Sequence, residues 1–274
     1  TMKILITGGS GFIGRSLVKA LNQEHDVFAP SSKELDITNS YDVEKYLQNK
    51  YFDWVIHCAI SGGRRTSIDS GDVAYNNVKM FFNLMNNKSR FGKLINFASG
   101  AEFNRTSAIN SNTNNLNSSY PTDPYGMSKN IISRIIQDCR NCYNFRVYGV
   151  FGKDEDDTRF IKSNIKRYKN AENLKIHQQK AFDFFYIEDL ITIVKYYVDH
   201  PKYYLDKDMD LVYQQKYKLT DIGNMINNLS AYKVKVEASD YREAPSYLGS
   251  NLGIPLDIEL VGLEEGIKRV YNAL

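Results

Sequence analysis

The chain has 274 residues, enough for one domain or for one domain with a smaller lobe, and its apolar runs are too short for a membrane-spanning helix. Lysine and arginine number 35 against 32 acidic residues, and the formal charge of +3 is too balanced for a nucleic-acid binder. Three cysteines cannot staple a fold of this size, whereas 42% hydrophobic residues can fill a core.

In the first half, short apolar runs alternate with longer periodic ones. This predicts an α/β fold, a doubly wound parallel sheet with helices on both faces. Strands are expected at residues 3–7, 26–30, 53–59, 93–99 and 144–151, and helices at 12–22, 41–49, 73–87 and 124–142. In the last of these helices Ile131, Ile132, Ile135 and Ile136 are read as a buried stripe. Residues 104–120, nearly all Asn, Ser and Thr, read as a long mobile surface loop. Beyond Gly152 come predicted helices at 160–168 and 187–198, one capped by Thr220, a strand at 233–237 and a final helix at 260–274. Residues 1–152 are expected to form the sheet domain. Residues 153–274 are expected to form mainly a small lobe, with some segments returning to the sheet. The amino terminus runs straight into a strand without a signal-peptide pattern, which points to the cytoplasm.

The first strand leads into Gly8-Gly9-Ser10-Gly11-Phe12-Ile13-Gly14 and then a helix. Glycines there let the backbone turn tightly and approach a pyrophosphate, and the helix start offers unsatisfied N–H groups to the anion. The second strand is followed by Ser31, Ser32 and Lys33 where a ribose-binding acid is usual, which suits the 2′-phosphate of NADP(H) better than the diol of NAD. A solvated turn is the other reading. Asp36 and Ile37 are placed at the adenine edge, with a helix cap as the alternative for Asp36.

Tyr125 and Lys129 lie four apart on one face of a helix, where an ammonium favours the phenolate and so suits the pair to proton transfer at a carbonyl or alcohol oxygen. Ser99 ends a strand at the sheet edge where ligand chemistry collects, and its hydroxyl can donate to the reacting oxygen.

These residues resemble the extended short-chain dehydrogenase/reductases, the NAD-dependent epimerase/dehydratase branch, and within it GDP-fucose synthases and dTDP-4-dehydrorhamnose reductases. The likeness is anchored at Gly8, Gly11 and Gly14; residues 35–38; residues 55–59, ending in Ala59; Asn77; Ser99; Tyr125 and Lys129; residues 151–152; and residues 182–189. It implies a Rossmann-type fold with a small C-terminal substrate lobe. Ser99, Tyr125 and Lys129 would be catalytic, Ala59, Ser61 and Asn77 would join the cofactor site, and a homodimer would form through the helix starting at residue 124. Gly63, Arg64 and Gly100 would approach the substrate. Ser99 is followed by Gly100 and Ala101 rather than an acidic pair, which speaks against dehydration. Ala101 stands in the epimerase cysteine's place and residues 153–170 hold no histidine, although Glu102 offers an alternative base. Phe182 replaces an arginine, leaving Arg159 or Lys180 for the diphosphate. The resemblance therefore implies a cytoplasmic NADPH-dependent reductase of a nucleotide-activated 4-keto sugar, in deoxysugar or heptose synthesis for surface polysaccharide. The alternatives are a 4-epimerase holding NAD tightly and an NADP-binding sensor without catalysis.

Other signals carry less. Cys139 and Cys142 end a helix without a second pair, and the scattered His25, His57, His177 and His200 suggest no metal site. His57 reads as a satisfied core side chain, residues 166–169 as a solvated basic face, and Tyr196, Tyr197, Tyr203 and Tyr204 as lobe packing.

Overall fold

The computed structural model describes residues 1–63 and 67–274. In chain order its elements are β1 (Lys3–Thr7), α1 (Phe12–Leu21), β2 (Asp26–Phe28), α2 (Ser40–Leu47), β3 (Phe52–His57), α3 (Gly71–Met85), β4 (Phe91–Ser99), α4 (Pro124–Gln137) and β5 (Cys142–Val147). They continue with β6 (Val150–Phe151), α5 (Phe160–Lys169), β7 (Leu174–Ile176), β8 (Phe185–Tyr186), α6 (Ile187–Asp199), β9 (Asp208–Leu211), α7 (Leu219–Asn227), β10 (Val236–Ala238) and α8 (Leu263–Ala273). The chain divides into two compact units. The first holds Thr1–Asn104, Asn115–Arg146 and Val194–Met209; the second holds Arg105–Asn114, Val147–Ile193 and Asp210–Leu274.

The six-stranded sheet has the order β2-β1-β3-β4-β5-β9, with β1 parallel to both β2 and β3, and β3 parallel to β4. This is the expected Rossmann-type α/β sheet. Strand order reverses between β1 and β3, and the carboxyl ends at that reversal form the crevice where such sheets bind ligands. Leu5, Val55 and Leu94 from the strands meet Phe81, Leu84, Ile132 and Ile136 from α3 and α4. The isoleucine stripe is narrower than expected: Ile132 and Ile136 are buried and Ile135 packs half-buried against the same core, whereas Ile131 is exposed, because residues adjacent in a helix point about 100° apart. Helix α4 also stops at Gln137, and Cys142 opens β5 instead of closing the helix.

Tyr197 belongs to this first unit, edge-on to Phe145 at 4.8 Å and Tyr143 at 5.4 Å. Tyr203 and Tyr204 are exposed, so these tyrosines do not pack a lobe together as expected. Two helix starts are fixed by sequence-local caps. Asn39 accepts the Asp42 N–H at 3.1 Å, and Asp123 accepts the Gly126 N–H at 2.8 Å ahead of Pro124, whose missing N–H would have been unsatisfied there in any case.

In the second unit β6 pairs with β8 and β7 with β10, all parallel. Phe160, Phe184, Phe182 and Tyr247 form a continuous stack with centroid steps of 5.7, 4.5 and 5.0 Å. The predicted single strand at 144–151 is split into β5, which ends at Val147, and β6; between them lies Gly149, where a Cβ would come within 2.9 Å of the rings of Phe182 and Phe184. The Asn/Ser/Thr segment is not the free loop expected. Ile109 is fully buried, donates to Ser246 O and accepts from Leu248 N, both at 2.8 Å, and Asn114 binds Tyr148 Oη and Leu248 O. Its amides supply the backbone pairing that its missing apolar periodicity hid. Helix α7 is capped at Lys218, whose N–H is taken by Asp221, rather than at Thr220. On α5, Lys166 pairs with Asp157 and Arg167 with Glu172, while Tyr168 is buried against Tyr232.

Candidate active site

The site begins where β1 ends. Gly8 has φ +66°, and a Cβ on it would lie 2.5 Å from Ala59 N; a Cβ on Gly14 would overlap Gly8 O. The loop and the start of α1 are therefore packed backbone to backbone. Gly11 differs, because its Cβ would meet nothing nearer than Gly8 O at 3.5 Å. Gly11 caps α1 without any side-chain bond, so the first-turn N–H groups of Phe12, Ile13 and Gly14 face a position that an anion can fill. A dinucleotide pyrophosphate fits this cradle.

Thr7 locks β1 to β3. Its hydroxyl accepts the N–H groups of Cys58 at 3.1 Å and Ala59 at 3.2 Å, so its own proton goes to His57 Nδ1 at 2.7 Å. His57 is thus the Nε2–H tautomer. Burial, together with the nearby Lys129, pushes its pKa down to about 3. The expected core histidine also joins β3 to the end of β1. Ala59 is half-buried beside it.

After β2, Ser31, Ser32 and Lys33 are exposed on a turn that is closed by Glu34, whose carboxylate takes the Ser31 N–H at 2.6 Å. Asp36 is spent locally on Thr38, accepting its N–H at 3.0 Å and its hydroxyl at 2.6 Å, while Asn39 caps α2. Ile37 is buried, and its carbonyl accepts from Asn83 at 2.7 Å. Asn77 clamps the loop after β3: it accepts the Ser61 N–H at 2.8 Å, donates to Ser61 O at 2.9 Å and donates to Ser128 Oγ at 3.1 Å. Ser128 in turn donates to Tyr125 O at 2.7 Å. Asn77 thereby ties the loop after β3 to the helix that carries the tyrosine.

Ser99 is buried at the end of β4, and its Oγ accepts the Ala101 N–H at 3.1 Å in the 3-10 turn Gly100–Phe103. Gly126 lets α4 press on that turn, since a Cβ would lie 2.6 Å from Ala101 O. Lys129 is buried and donates to Phe97 O at 2.7 Å, with Nζ 5.8 Å from the Tyr125 ring centroid. Burial lowers its pKa to about 8. Gly63, at φ +72°, lies against the other side of the phenol, for a Cβ there would be 2.6 Å from Tyr125 Cε2. Arg64 lies outside the described residues.

Glu102 is not placed to be the alternative base that the sequence offered. Its side chain is wholly buried and receives Arg146 Nε, and the Arg146 fork grips Asp208 at 2.8 and 3.0 Å. A carboxylate held in an ion pair under the turn cannot reach a substrate proton. Gly100 is buried in the same turn. Arg159 and Lys180 belong to the second unit: Arg159 caps α5, and the Lys180 ammonium lies 5.3 Å from the Phe182 ring centroid and 5.8 Å from that of Tyr247.

The family follows from the same stretch of chain. A model described as the NAD dependent epimerase/dehydratase family matches residues 4–209. The chain belongs to that family. As a member it is an NAD(P)-dependent oxidoreductase. Among similar proteins is a CDP-abequose synthase from Yersinia pseudotuberculosis, 24% identical over 92% of this chain and 94% of its own. Two solved structures share the fold: a GDP-mannoheptose C4 reductase from Campylobacter jejuni with NADP bound (TM-score 0.80, 16% identity, 99% of this chain and 98% of that one) and a dTDP-4-dehydrorhamnose reductase from Bacillus anthracis in complex with NADP (TM-score 0.79, 19% identity, 100% of each).

Three structural contributors to this epimerase/dehydratase-family site escaped the sequence reading. Thr7 stood next to the glycine motif and was within reach of it; Gly126 and Arg146 had no local signal, since their partners Ala101 and Glu102 lie far off in sequence. Among the described residues one trio, Glu24, His25 and Asp199, has ligand atoms within 4.8 Å. His25 Nδ1 accepts the Met2 N–H, which leaves Nε2 to bond Asp199, and Lys195 binds Glu24, so these groups satisfy one another. No helix among the described residues is long and apolar enough to cross a membrane.

Proposed function

We propose that this protein is an NADPH-dependent reductase of a 4-keto sugar carried on a nucleotide diphosphate. One observation carries the reading: the buried Lys129 amine is fixed on Phe97 O beside the Tyr125 ring, while Glu102, the acid nearest Ser99 in sequence, is locked under the turn by Arg146. That leaves the phenol to carry the proton and provides no adjacent acid for elimination. A bound reduced nicotinamide supplies the hydride to the carbonyl carbon. Tyr125 gives its proton to the carbonyl oxygen, Ser99 donates a hydrogen bond to the same oxygen, and the Lys129 ammonium favours the phenolate left behind. Gly63 and the loop clamped by Asn77 hold the phenol in place.

The cradle at Gly8, Gly11 and Gly14 takes the pyrophosphate, and Ser31, Ser32 and Lys33 take the 2′-phosphate of NADP. Arg159 and Lys180 are assigned to the substrate diphosphate. The reductase names of the two solved relatives support this reading, as does the sugar chemistry of the abequose synthase, which also suits a role in surface-polysaccharide deoxysugar or heptose synthesis. Exposed Tyr75 and Phe82 on α3, with Met127 and Ile131 on α4, support a homodimer.

Denaturing the purified protein and identifying the released nucleotide tests the reaction class. The reductase reading expects little retained nucleotide and reversible binding of added NADPH. Near-stoichiometric NAD released only on denaturation contradicts it and points to an epimerase.

A further inference from the structure

Strands β1 and β2 leave the sheet side by side. Their parallel register pairs Leu5 with Phe28 and, carried two to three residues on, sets Thr7 and Gly8 level with Pro30 and Ser31 on a strand about 4.8 Å away. Contact continues past the strand ends, since a Cβ on Gly9 would lie 3.0 Å from Ala29 Cβ. The tip of the glycine loop and the turn after β2 are therefore neighbours, and Ser10, Ser31, Ser32 and Lys33 are all exposed there.

Arg15 folds back onto that tip. It lies exposed in the first turns of α1, its Nη1 donates to Ser10 O at 3.2 Å, and its guanidinium carbon is 5.8 Å from the Phe12 ring centroid. Charge balance calls for a cation at this place. A phosphate monoester carries about 1.5 to 2 negative charges at neutral pH. Residues 31–34 offer it no net charge, because Lys33 is offset by Glu34, whose carboxylate accepts the Ser31 N–H at 2.6 Å and is kept ionised by that bond. The same bond occupies the Ser31 amide. Arg15 brings a permanent positive charge in a planar fork that matches phosphate oxygens two at a time.

We propose that Arg15 determines cofactor specificity: its guanidinium, folded over Ser10 at the tip of the glycine loop, grips the 2′-phosphate of NADP from α1 while Ser32 and Lys33 approach it from the turn after β2. This rests on the reading of that turn as the 2′-phosphate site. It gives the phosphate a counter-charge that Glu34 does not cancel, and it places the choice between NADP and NAD on the first helix as well as on the second strand.

The test is calorimetric binding of two pairs of probes that differ only in the 2′-phosphate, NADPH against NADH and 2′,5′-ADP against 5′-AMP, to the wild type, R15Q, R15K and K33Q. No sugar substrate is needed. R15Q should weaken NADPH and 2′,5′-ADP by about 10- to 100-fold, the range for a lost hydrogen bond to a charged group, and leave NADH and 5′-AMP within twofold. R15K keeps the charge without the fork and should fall between R15Q and the wild type. A guanidinium that only braces the loop through Ser10 O would weaken NADPH and NADH alike. An unchanged ratio of the two affinities in R15Q therefore overturns the proposal, and if R15Q fails to fold, an unchanged ratio in R15K does so. A wild type that prefers 2′,5′-ADP, with K33Q cutting that preference and R15Q keeping it, overturns the role of Arg15 alone. A wild type that binds 2′,5′-ADP no tighter than 5′-AMP overturns the reading of the turn after β2 as the 2′-phosphate site.

Discussion

Tyr125→Phe should lower kcat by about 100- to 10,000-fold, the range expected when a general acid is removed. The substitution deletes one oxygen and keeps the ring. Lys129 Nζ still has the ring 5.8 Å away, and Gly63 still lies against its edge. The backbone carbonyl that accepts from Ser128 is untouched, so the clamp through Asn77 to Ser61 survives. Stability and the KM for NADPH should therefore stay near wild type while the chemical step collapses. A Tyr125→Phe enzyme that turns over at a rate comparable to wild type removes the phenol from the mechanism.

Gly14→Ala should be the most damaging single change in the cradle. The added carbon overlaps Gly8 O and comes within 2.8 Å of Gly8 C and 3.0 Å of Gly9 Cα. All three are backbone atoms, so no flexible side-chain end can swing aside, and either α1 or the loop must move. Overpacking of this kind costs about 1–3 kcal/mol, and the displaced helix start should also lose NADPH affinity by more than tenfold. Gly11→Ala is the contrasting variant. Its new methyl meets only Gly8 O at 3.5 Å, an ordinary contact, so the fold should keep its Tm while NADPH binding weakens. Thermal melting and NADPH fluorescence titration of both variants separate the two roles. Wild-type NADPH affinity in both would place the pyrophosphate elsewhere.

The sequence carried the chemistry of the site further than its geometry. The places of Gly8, Gly14, Ser99, Tyr125 and Lys129 were readable because each sits in a local pattern: a strand followed by a glycine turn, a strand end, or a helical spacing of four. The sheet was readable for the same reason, since β1, β3 and β4 are buried apolar runs bounded by turns. Contacts between segments distant in sequence were not. Glu102 looked like a usable base because nothing near it in the chain announces Arg146, 44 positions on. Asp36 could be read as a helix cap, and Asn39 takes that place while the Asp36 side chain bonds Thr38. Residues 104–120 looked mobile because they are held by backbone amides, the Asn114 side chain and two scattered buried residues, Ile109 and Leu116, none of which leaves a hydrophobic period. Elements set by short-range spacing can be read directly, whereas buried charge pairs and backbone-only pairing need the fold.

In the proposed reaction Lys129 and Tyr125 serve ketone reduction with hydride drawn from NADPH. The direct measurement is a single-turnover reaction of the protein with NADPH deuterated at both C4 positions and a panel of 4-keto nucleotide sugars, read by NADPH absorbance and by deuterium in the product. NADPH should be consumed with at least one of them, leaving one deuterium on C4 of the alcohol formed. No NADPH consumption with any ketone, or product without deuterium at C4, would contradict it.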